Sequence, residues 1–284
     1  MTASRWLALA LAVASLTACT RNVGTATDPT ASAGIPPAVT VAAVDFPSAW
    51  LAERVGGDGA EVERITPDEV ADTDADLFLY VPGLDAVVDA AAADLPEDRV
   101  VDVTDEVTRV ASPRDPDVRD PYVWFDPVTI ATMAGTVATR MTQASATQFE
   151  AYQFYGLRSL SVQNESLQVD QRLQEIFNPC RIPTLVVEAP VLTYLARAYA
   201  FDQEPLIAWK PAADPVRAVY YTLDAQQAVE ESAAANGVDA VPVDTLTESA
   251  PEDDLLQGLL DLGDLIAAHQ ECPLITPSSS DRPG

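Results

Sequence analysis

The chain has 284 residues, with 44 acidic, 16 basic and one histidine, so its formal net charge is −28 at pH 7. Such a charge repels nucleic acid and anionic lipid, which excludes a nucleic-acid-binding function driven by electrostatics. Hydrophobic residues make up 48% of the chain, so the sequence can bury a core and is not a disordered acidic polypeptide.

Residues 1–19 have the pattern of a bacterial lipoprotein signal peptide. Arg5 provides a short positive region, and Trp6 to Leu16 form an apolar run that is too short to span a membrane. Leu16-Thr17-Ala18-Cys19 resembles a lipobox, although a plain signal peptide is the alternative. We therefore expect cleavage before Cys19, acylation of Cys19 with palmitate or a similar chain, and a lipid anchor at the extracytoplasmic face of the cell membrane.

The two remaining cysteines are predicted to pair. Once Cys19 carries lipid, an exported domain with two thiols is expected to join Cys180 to Cys272, the alternative being two buried free thiols. Closing a loop of about 93 residues stabilises the fold by around 4 kcal/mol on the chain-entropy model. Residues 20–37 are predicted to form a flexible tether and residues 273–284 a disordered tail.

Strands and helices alternate along the body of the chain. Runs of β-branched and apolar residues predict strands at 39–44, 61–65, 77–81, 99–105, 184–189, 205–209, 218–222 and 239–243. Helical patterns lie between most of them. The alternation predicts an α/β fold with two lobes, residues 38–142 and 179–272, each with a mostly parallel sheet flanked by helices.

Residues 143–178 are predicted to form a long, rigid helix that joins the two lobes. At 100° per residue, Phe149, Tyr152, Leu160 and Leu167 fall within about 80° of one another. We expect this apolar stripe to pack along both lobes. Gly156 lies in the same stripe and weakens an isolated helix by up to about 1 kcal/mol.

The octapeptide DPYVWFDP, Asp120 to Pro127, resembles DPHVWLDP, a signature of the solute-binding lipoproteins of zinc and manganese ABC importers. The segments FPSAWLAERVGGDGAEVERI, TPDEVADTDADLFLYVPGLD and TYLARAYAF are similar to further parts of that family in the same order. The resemblance implies two α/β lobes bridged by a long helix, and a zinc or manganese ion held between the lobes as the transported ligand. It also implies delivery to an ABC permease by a protein that we expect to be a monomer.

The family's metal-binding histidines are missing from the matching positions. Tyr122 stands where the resemblance places the second histidine, and the loop that carries the first is absent between Ile65 and Thr66. The third ligand falls on Ala189, or on Glu188 after a shift of one residue. Neutral tyrosine, with an ordinary pKa near 10, is a poor zinc ligand.

Oxygen ligands remain at other matching positions. A carboxylate of the family's second half falls near Tyr221, and its last acidic ligand matches Asp244 or Glu248. A site built from Glu188, Glu248 and Asp45 would suit a harder cation such as Mn²⁺ or Ca²⁺. The alternative is that Glu188 is a strand-end carboxylate satisfied by backbone N–H groups.

The aromatic residues of the octapeptide allow another interpretation. Tyr122, Trp124 and Phe125 either fill the former cleft or line a pocket for a small organic ligand. His269 is predicted to lie at the C-terminus of the last helix, where a positive charge interacts favourably with the helix dipole. One histidine cannot chelate a metal ion alone.

The residue inventory excludes several enzyme classes. No Ser-His-Asp or Cys-His pair can form if His269 is terminal and both thiols are joined, and the Gly56-Gly57 pair ends a helix instead of opening a phosphate loop. The sequence therefore predicts a membrane-anchored, extracytoplasmic solute-binding protein that is not an enzyme and that lacks the family's zinc ligands. The alternative is an accessory or scaffold lipoprotein of the envelope, or one that binds a small non-metal ligand.

Overall fold

A computed structural model describes residues 34–113, 115–210 and 216–273. The predicted signal peptide with Cys19, most of the tether and residues 274–284 of the predicted tail lie outside the described residues. The strands are β1 Val39–Ala43, β2 Ala60–Arg64, β3 Leu77–Tyr80, β4 Val100–Asp102, β5 Thr184–Val187, β6 Asp202–Pro205, β7 Ala218–Tyr221 and β8 Asp239–Pro242. The α-helices are α1 Phe46–Gly56, α2 Ala86–Ala92, α3 Pro127–Ala144, α4 Gln148–Phe177, α5 Thr193–Ala198, α6 Gln226–Asn236 and α7 Leu255–His269.

The strands form two parallel sheets with the same arrangement. The N-terminal lobe has the order β2-β1-β3-β4, the C-terminal lobe has the order β6-β5-β7-β8, and all neighbouring strands are parallel. The central strands β1, β3, β5 and β7 are almost entirely buried because helices cover both faces. The predicted two-lobed α/β fold is confirmed.

Helix α1 shows how local chemistry sets the helix limits. The side chain of Asp45 accepts a hydrogen bond from the Ser48 N–H at 2.8 Å, which caps the helix, and Pro47 lies in the first turn. The helix ends where Gly57 takes a positive φ of 48°. Only glycine adopts that conformation without steric cost, so the Gly56-Gly57 pair stops the helix as expected.

Helix α4 carries the connection between the lobes. Its 30 residues pack against α1 and α3 in the N-terminal lobe and against α7 in the C-terminal part. Gly263 of α7 allows this contact, since a Cβ there would lie 2.3 Å from Cδ2 of Leu173. The buried side of α4 consists of Ala151, Phe154, Tyr155, Ser159, Val162, Ser166, Val169, Leu173 and Phe177. A single apolar core that contains residues of both sheets surrounds this side.

The predicted packing stripe of α4 is wrong. Phe149 and Tyr152 are 74% and 71% exposed, and Leu160 and Leu167 are 53% and 44% exposed. The buried side contains Ser159 and Ser166, so it shows no continuous apolar pattern in the sequence. The Ser166 hydroxyl donates to the Val162 carbonyl at 2.8 Å, so its polar atom is satisfied within the helix and the small side chain can be buried.

One predicted strand is displaced. Residues 205–209 were expected to form a strand, but β6 spans Asp202–Pro205 and Ile207 is 98% exposed in the turn that follows. Strand β6 lies at the edge of its sheet and pairs only with β5, from Thr184↔Asp202 onward. An edge strand needs no apolar run, so its polar sequence gave no strand signal.

The disulfide between Cys180 and Cys272 is present, across 92 residues of sequence. It joins the chain just after α4 to the chain just after α7. The N–H groups of Arg181 and Ile182 donate to the Gln270 carbonyl at 3.3 and 3.2 Å, so backbone hydrogen bonds hold the same two segments together. Among the described residues, none of the helices combines the length and apolar character that a membrane span requires.

Two leucines of α4 provide a test of which side carries the packing. Leu173→Ala removes a fully buried side chain and is expected to lower the free energy of unfolding by about 2–5 kcal/mol. Leu167→Ala, on the exposed side of the same helix, is expected to change it by less than about 0.5 kcal/mol. Urea unfolding followed by circular dichroism measures both. Equal losses would show that the exposed side also packs against the protein.

Candidate functional site

The candidate ligand residues lie at the carboxyl ends of the strands. Asp45 follows β1, Glu188 follows β5, Tyr221 ends β7 and Asp244 follows β8. In parallel α/β sheets, ligands bind in the crevice at this edge. These positions therefore lie at the edge of both sheets where ligands of parallel α/β proteins bind.

The two aspartates of DPYVWFDP have local structural roles. Oδ1 of Asp120 accepts a hydrogen bond from the Tyr122 N–H at 2.9 Å, which holds the turn before a short 3₁₀ helix at Val123–Phe125. Oδ1 of Asp126 accepts from the Val128 N–H at 2.9 Å and caps α3. The octapeptide can thus keep its shape without a metal ion.

The aromatic residues of the octapeptide form a packed cluster between the lobes. Trp124 and Phe125 are fully buried, and the half-buried Tyr122 ring lies 5.5 Å from the Trp124 ring and 6.3 Å from the Phe125 ring. Tyr122 and Ala189 both pack against the apolar core shared by the two sheets. Both positions, which the sequence resemblance was expected to place at the metal site, thus contact an apolar interior.

Hydrogen bonds join the lobes around this cluster. Nε1 of Trp124 donates to the Thr245 carbonyl at 3.0 Å, and the Phe46 N–H donates to the Thr247 carbonyl at 2.8 Å. The Val110 N–H donates to the Tyr194 hydroxyl at 3.0 Å. Each bond connects a residue of the N-terminal lobe with one of the C-terminal lobe, so backbone polar groups of both lobes are satisfied across the junction.

Both carboxylate oxygens of Asp45 accept hydrogen bonds from backbone N–H groups. The residue is 5% exposed, Oδ1 accepts from the Ser48 N–H at 2.8 Å, and Oδ2 accepts from the Val81 N–H at 3.3 Å. Burial raises the pKa of this carboxyl above its ordinary value, against the opposing effect of the hydrogen bonds from Ser48 and Val81. Asp45 therefore ties the start of α1 to the end of β3.

Asp120 is a buried carboxylate that the sequence reasoning did not select. It is 1% exposed, and Oδ2 has no hydrogen-bond partner among the described residues. Burial raises the pKa of Asp120, while the nearby Thr193 hydroxyl and the hydrogen bond from the Tyr122 N–H oppose the shift. Thr193 belongs to the C-terminal lobe, so Asp120 also contacts both lobes. Its partner lies far away in sequence, and no local pattern could have indicated the contact.

Glu188 and Tyr221 lie at the ends of the neighbouring strands β5 and β7. Glu188 is half-buried, and its N–H donates to the Tyr220 carbonyl at 2.8 Å, which extends the pairing of β5 with β7. Tyr221 is buried in the cluster on the outer face of the C-terminal sheet, with Val219 and Val229. Its hydroxyl donates to Oε1 of Glu230 at 3.1 Å. Because residues alternate across a strand, Tyr220 faces the shared core and Tyr221 faces α6.

The remaining candidates lie at the surface. The Glu248 side chain is 91% exposed, with Oε2 3.5 Å from the Arg64 guanidinium. Asp244 is exposed, and its Oδ1 accepts from the Leu246 N–H at 2.8 Å. His269 ends α7, and its Nδ1 is 3.4 Å from a carboxylate oxygen of Asp239, at the opening residue of β8. That is the opposite edge of the sheet from the candidate site.

The structure therefore does not gather the candidate oxygens into one site. Within the described ranges, no group of three or more His, Cys, Asp or Glu side chains is arranged to hold a metal ion. What the structure brings together at the junction is Tyr122, Trp124, Asp120 and Tyr194. Tyr194 lies in the segment TYLARAYAF, but its bond to Val110 spans 84 residues and has no sequence signal.

The interlobe bond of Tyr194 can be tested by removing one oxygen. Tyr194→Phe leaves the Val110 N–H without its acceptor and is expected to lower the free energy of unfolding by about 1–3 kcal/mol. Tyr152→Phe, at a position 71% exposed, is the matched control and is expected to change it by less than about 0.5 kcal/mol. Chemical denaturation measures the difference. An unaffected Tyr194 variant would show that the bond does not hold the junction.

Asp45 predicts a pH dependence of stability. Because its pKa is raised in the folded state, its stabilising contribution is present below the unfolded pKa and is lost as pH rises through the folded pKa. Asp45→Asn removes this titration, so the variant should gain stability relative to the wild type across that interval. Unfolding by urea at a series of pH values measures the trend.

Glu69 provides a control, because its pKa is shifted in the opposite direction from that of Asp45. Hydrogen bonds from the Thr66 backbone and hydroxyl lower the pKa of Glu69, so its contribution is present above the unfolded pKa and is lost as pH falls through the folded pKa. Glu69→Gln should therefore lose stability relative to the wild type as pH rises. Parallel trends in the two variants would contradict the assignment of Asp45.

Comparison with known proteins identifies the relatives of this fold. A zinc-bound deletion mutant of ZnuA has a TM-score of 0.67 at 20% identity, covering 82% of this chain and 98% of that chain. A mutant of the laminin-binding adhesin Lmb from Streptococcus agalactiae has a TM-score of 0.69 at 18% identity, covering 82% of this chain and 99% of that chain. The metal-dependent lipoprotein YcdH from Bacillus subtilis has a TM-score of 0.64 at 18% identity, covering 80% of this chain and 98% of that chain.

No curated protein sequence gives a significant match. Residues 41–259 match the family described as "ZnuA: Zinc-uptake complex component A periplasmic". That range covers well over half of the chain and both lobes. The chain therefore belongs to this family of solute-binding components of zinc and other metal ABC importers.

Proposed function

We propose that this protein is a lipid-anchored, extracytoplasmic member of a metal-type ABC importer system whose interlobe junction does not hold zinc. Membership of the family supports the importer role and an ABC permease as the partner. The lipobox ending at Cys19 supports the anchor. The observation that carries the proposal is the packing of Tyr122 against Trp124, whose indole is hydrogen-bonded to the opposite lobe.

The chemistry of the available donors supports the same conclusion. Tight zinc sites use three or four imidazole, thiolate or carboxylate ligands, and imidazole and thiolate are the softer donors that favour zinc. The only histidine of the sequence, His269, ends α7 beside Asp239, at the amino end of β8 and away from the candidate site. Cys180 and Cys272 are joined in the disulfide. A tyrosine phenol is not among the thiolate, imidazole and carboxylate groups that form zinc sites, so Tyr122 does not replace an imidazole.

An accessory role in the envelope is the second candidate. It is supported by the hydrogen bonds from Trp124 to Thr245 and from Val110 to Tyr194, which fasten the lobes at the place where a binding protein closes on its ligand. In this role the protein contacts the permease or another envelope component as a rigid body. A small organic ligand would instead require the aromatic cluster around Tyr122 to open.

Metal titration distinguishes these functions. Residues 34–284 are dialysed against Zn²⁺, Mn²⁺ or Ca²⁺, and bound metal and melting temperature are measured. We expect no stoichiometric zinc. A ligand at 100 times its dissociation constant adds about 2.7 kcal/mol of stability, so a bound cation would be visible as a thermal shift.

The outcomes separate the candidates clearly. Stoichiometric zinc that is lost in Tyr122→Phe combined with Glu188→Gln would overturn the proposal. Binding of Mn²⁺ or Ca²⁺ alone, lost in Glu188→Gln, would assign a solute-binding role with an all-oxygen site. No shift with any cation supports the accessory role. Glu231→Gln, on the exposed side of α6, serves as the control for loss of surface charge.

A further inference from the structure

The side of α4 that faces away from both lobes is unusually apolar. We define the α4 outer face as Phe149, Tyr152, Leu160 and Leu167, whose exposed fractions run from 74% down to 44%. Beside it, a groove of about 760 Å³ runs between α3 and α4. Gly156 lines this groove and faces open space, because a Cβ there would meet no atom within 4 Å. Large apolar side chains exposed together indicate a surface that another structure covers.

The part of this surface around Phe149, Tyr152 and Leu160 is also depleted of negative charge. Residues 127–164, which form α3 and the first half of α4, contain one acidic residue, Glu150, whereas the whole chain contains 44. The two arginines of the segment are held by backbone carbonyls, Arg140 by Val100 and Arg158 by Val55. Acidic residues reappear beyond the end of α3, where Asp74, Asp76 and Asp98 line a neighbouring cavity with Arg99 and Arg140.

The tether enters the fold beside the same helix. Pro36 lies where the chain passes Gly59, since a Cβ on Gly59 would be 3.2 Å from Pro36 and 3.0 Å from Phe154 of α4. Ile35, one residue earlier, is 61% exposed. Fourteen residues separate Cys19 from Gly34. A chain of that length reaches at most about 50 Å. The first turns of α4 therefore stay near any surface that holds Cys19.

We propose that the α4 outer face docks on the lipid bilayer to which Cys19 is anchored, with Phe149 and Tyr152 in the headgroup region. This inference rests on the lipid anchor of the proposed function. Aromatic side chains are favoured at the boundary between headgroups and acyl chains. An anionic membrane repels the heavily acidic remainder of the protein, so the acid-poor face is the one that can approach it. Charge and apolar exposure thus select the same face. The tether meets the buried side of α4 at Phe154, so its length keeps the helix within reach of the membrane and does not by itself select a face.

A fluorescent probe at two positions tests the docking. The full chain, with acylated Cys19 and the Cys180–Cys272 disulfide, has no other cysteine, so Gln153→Cys introduces one free thiol beside the α4 outer face. Gln227→Cys on α6, an exposed position of the C-terminal lobe, is the matched control. Each variant is labelled with a polarity-sensitive dye and placed in vesicles of phosphatidylcholine with a minority of phosphatidylglycerol.

Docking predicts a blue shift and quenching by brominated lipid for the dye at position 153 and neither effect at position 227. Phe149→Ser combined with Tyr152→Ser should abolish most of the quenching at position 153. Both side chains are on the surface, so the melting temperature should not change. Equal quenching at the two positions, or quenching that survives the double substitution, would overturn the proposal.

Two further measurements separate the causes of a negative result. Intact mass of the membrane-extracted protein shows whether Cys19 carries lipid, and an unmodified Cys19 would overturn the anchor in the proposed function. In that case the dye experiment is repeated on residues 19–284 with Cys19→Ser and a synthetic lipid on the N-terminal amine. The introduced cysteine then stays the single free thiol, and the docking face is tested independently. Chemical crosslinking that joins two copies through α4, in vesicles without dye quenching, would assign the face to a second copy and reject docking on lipid.

Discussion

The burial of one side of α4 against both lobes is the constraint on which the rest of the structure depends. The helix runs from Gln148 to Phe177, and its buried side belongs to a core that includes residues of both sheets. Close approach of α7 at Gly263 and the disulfide from Cys180 to Cys272 fix the far end of the helix. Because the two sheets share this core, packing of the core fixes the position of one lobe relative to the other without a contribution from a ligand.

That shared core explains how the scaffold is held together by contacts that need no metal ion. Asp120 and Asp126 keep the octapeptide folded by accepting backbone hydrogen bonds, and neither role needs a metal ion. Trp124 then crosses the junction to the Thr245 carbonyl. Apolar packing and backbone hydrogen bonds therefore supply the interlobe contacts, and the position of Tyr122 has become part of that packing.

The distribution of charge divides the surface into two regions. Most of the chain is strongly acidic, whereas α3 and the first half of α4 carry one carboxylate and a set of exposed apolar side chains. A charged surface keeps a protein soluble and repels anionic partners, and an acid-poor apolar face is where association is least opposed. The interior side of α4 serves the fold, and its exterior side is available for an interaction.

The sequence by itself determined the alternation of strands and helices, the family resemblance, the end of α1 at Gly56-Gly57 and the pairing of Cys180 with Cys272. These features depend on local chemistry, short motifs or the count of cysteines. Tertiary structure alone decided that Ser159 and Ser166 face the core while Phe149 and Tyr152 face outward, that β6 is a polar edge strand, and that Tyr221 faces α6. It also decided the contacts of Tyr194 and Asp120 with the opposite lobe. Those outcomes depend on which surfaces meet across many residues of sequence, and local hydrophobic periodicity carries no information about the partner surface.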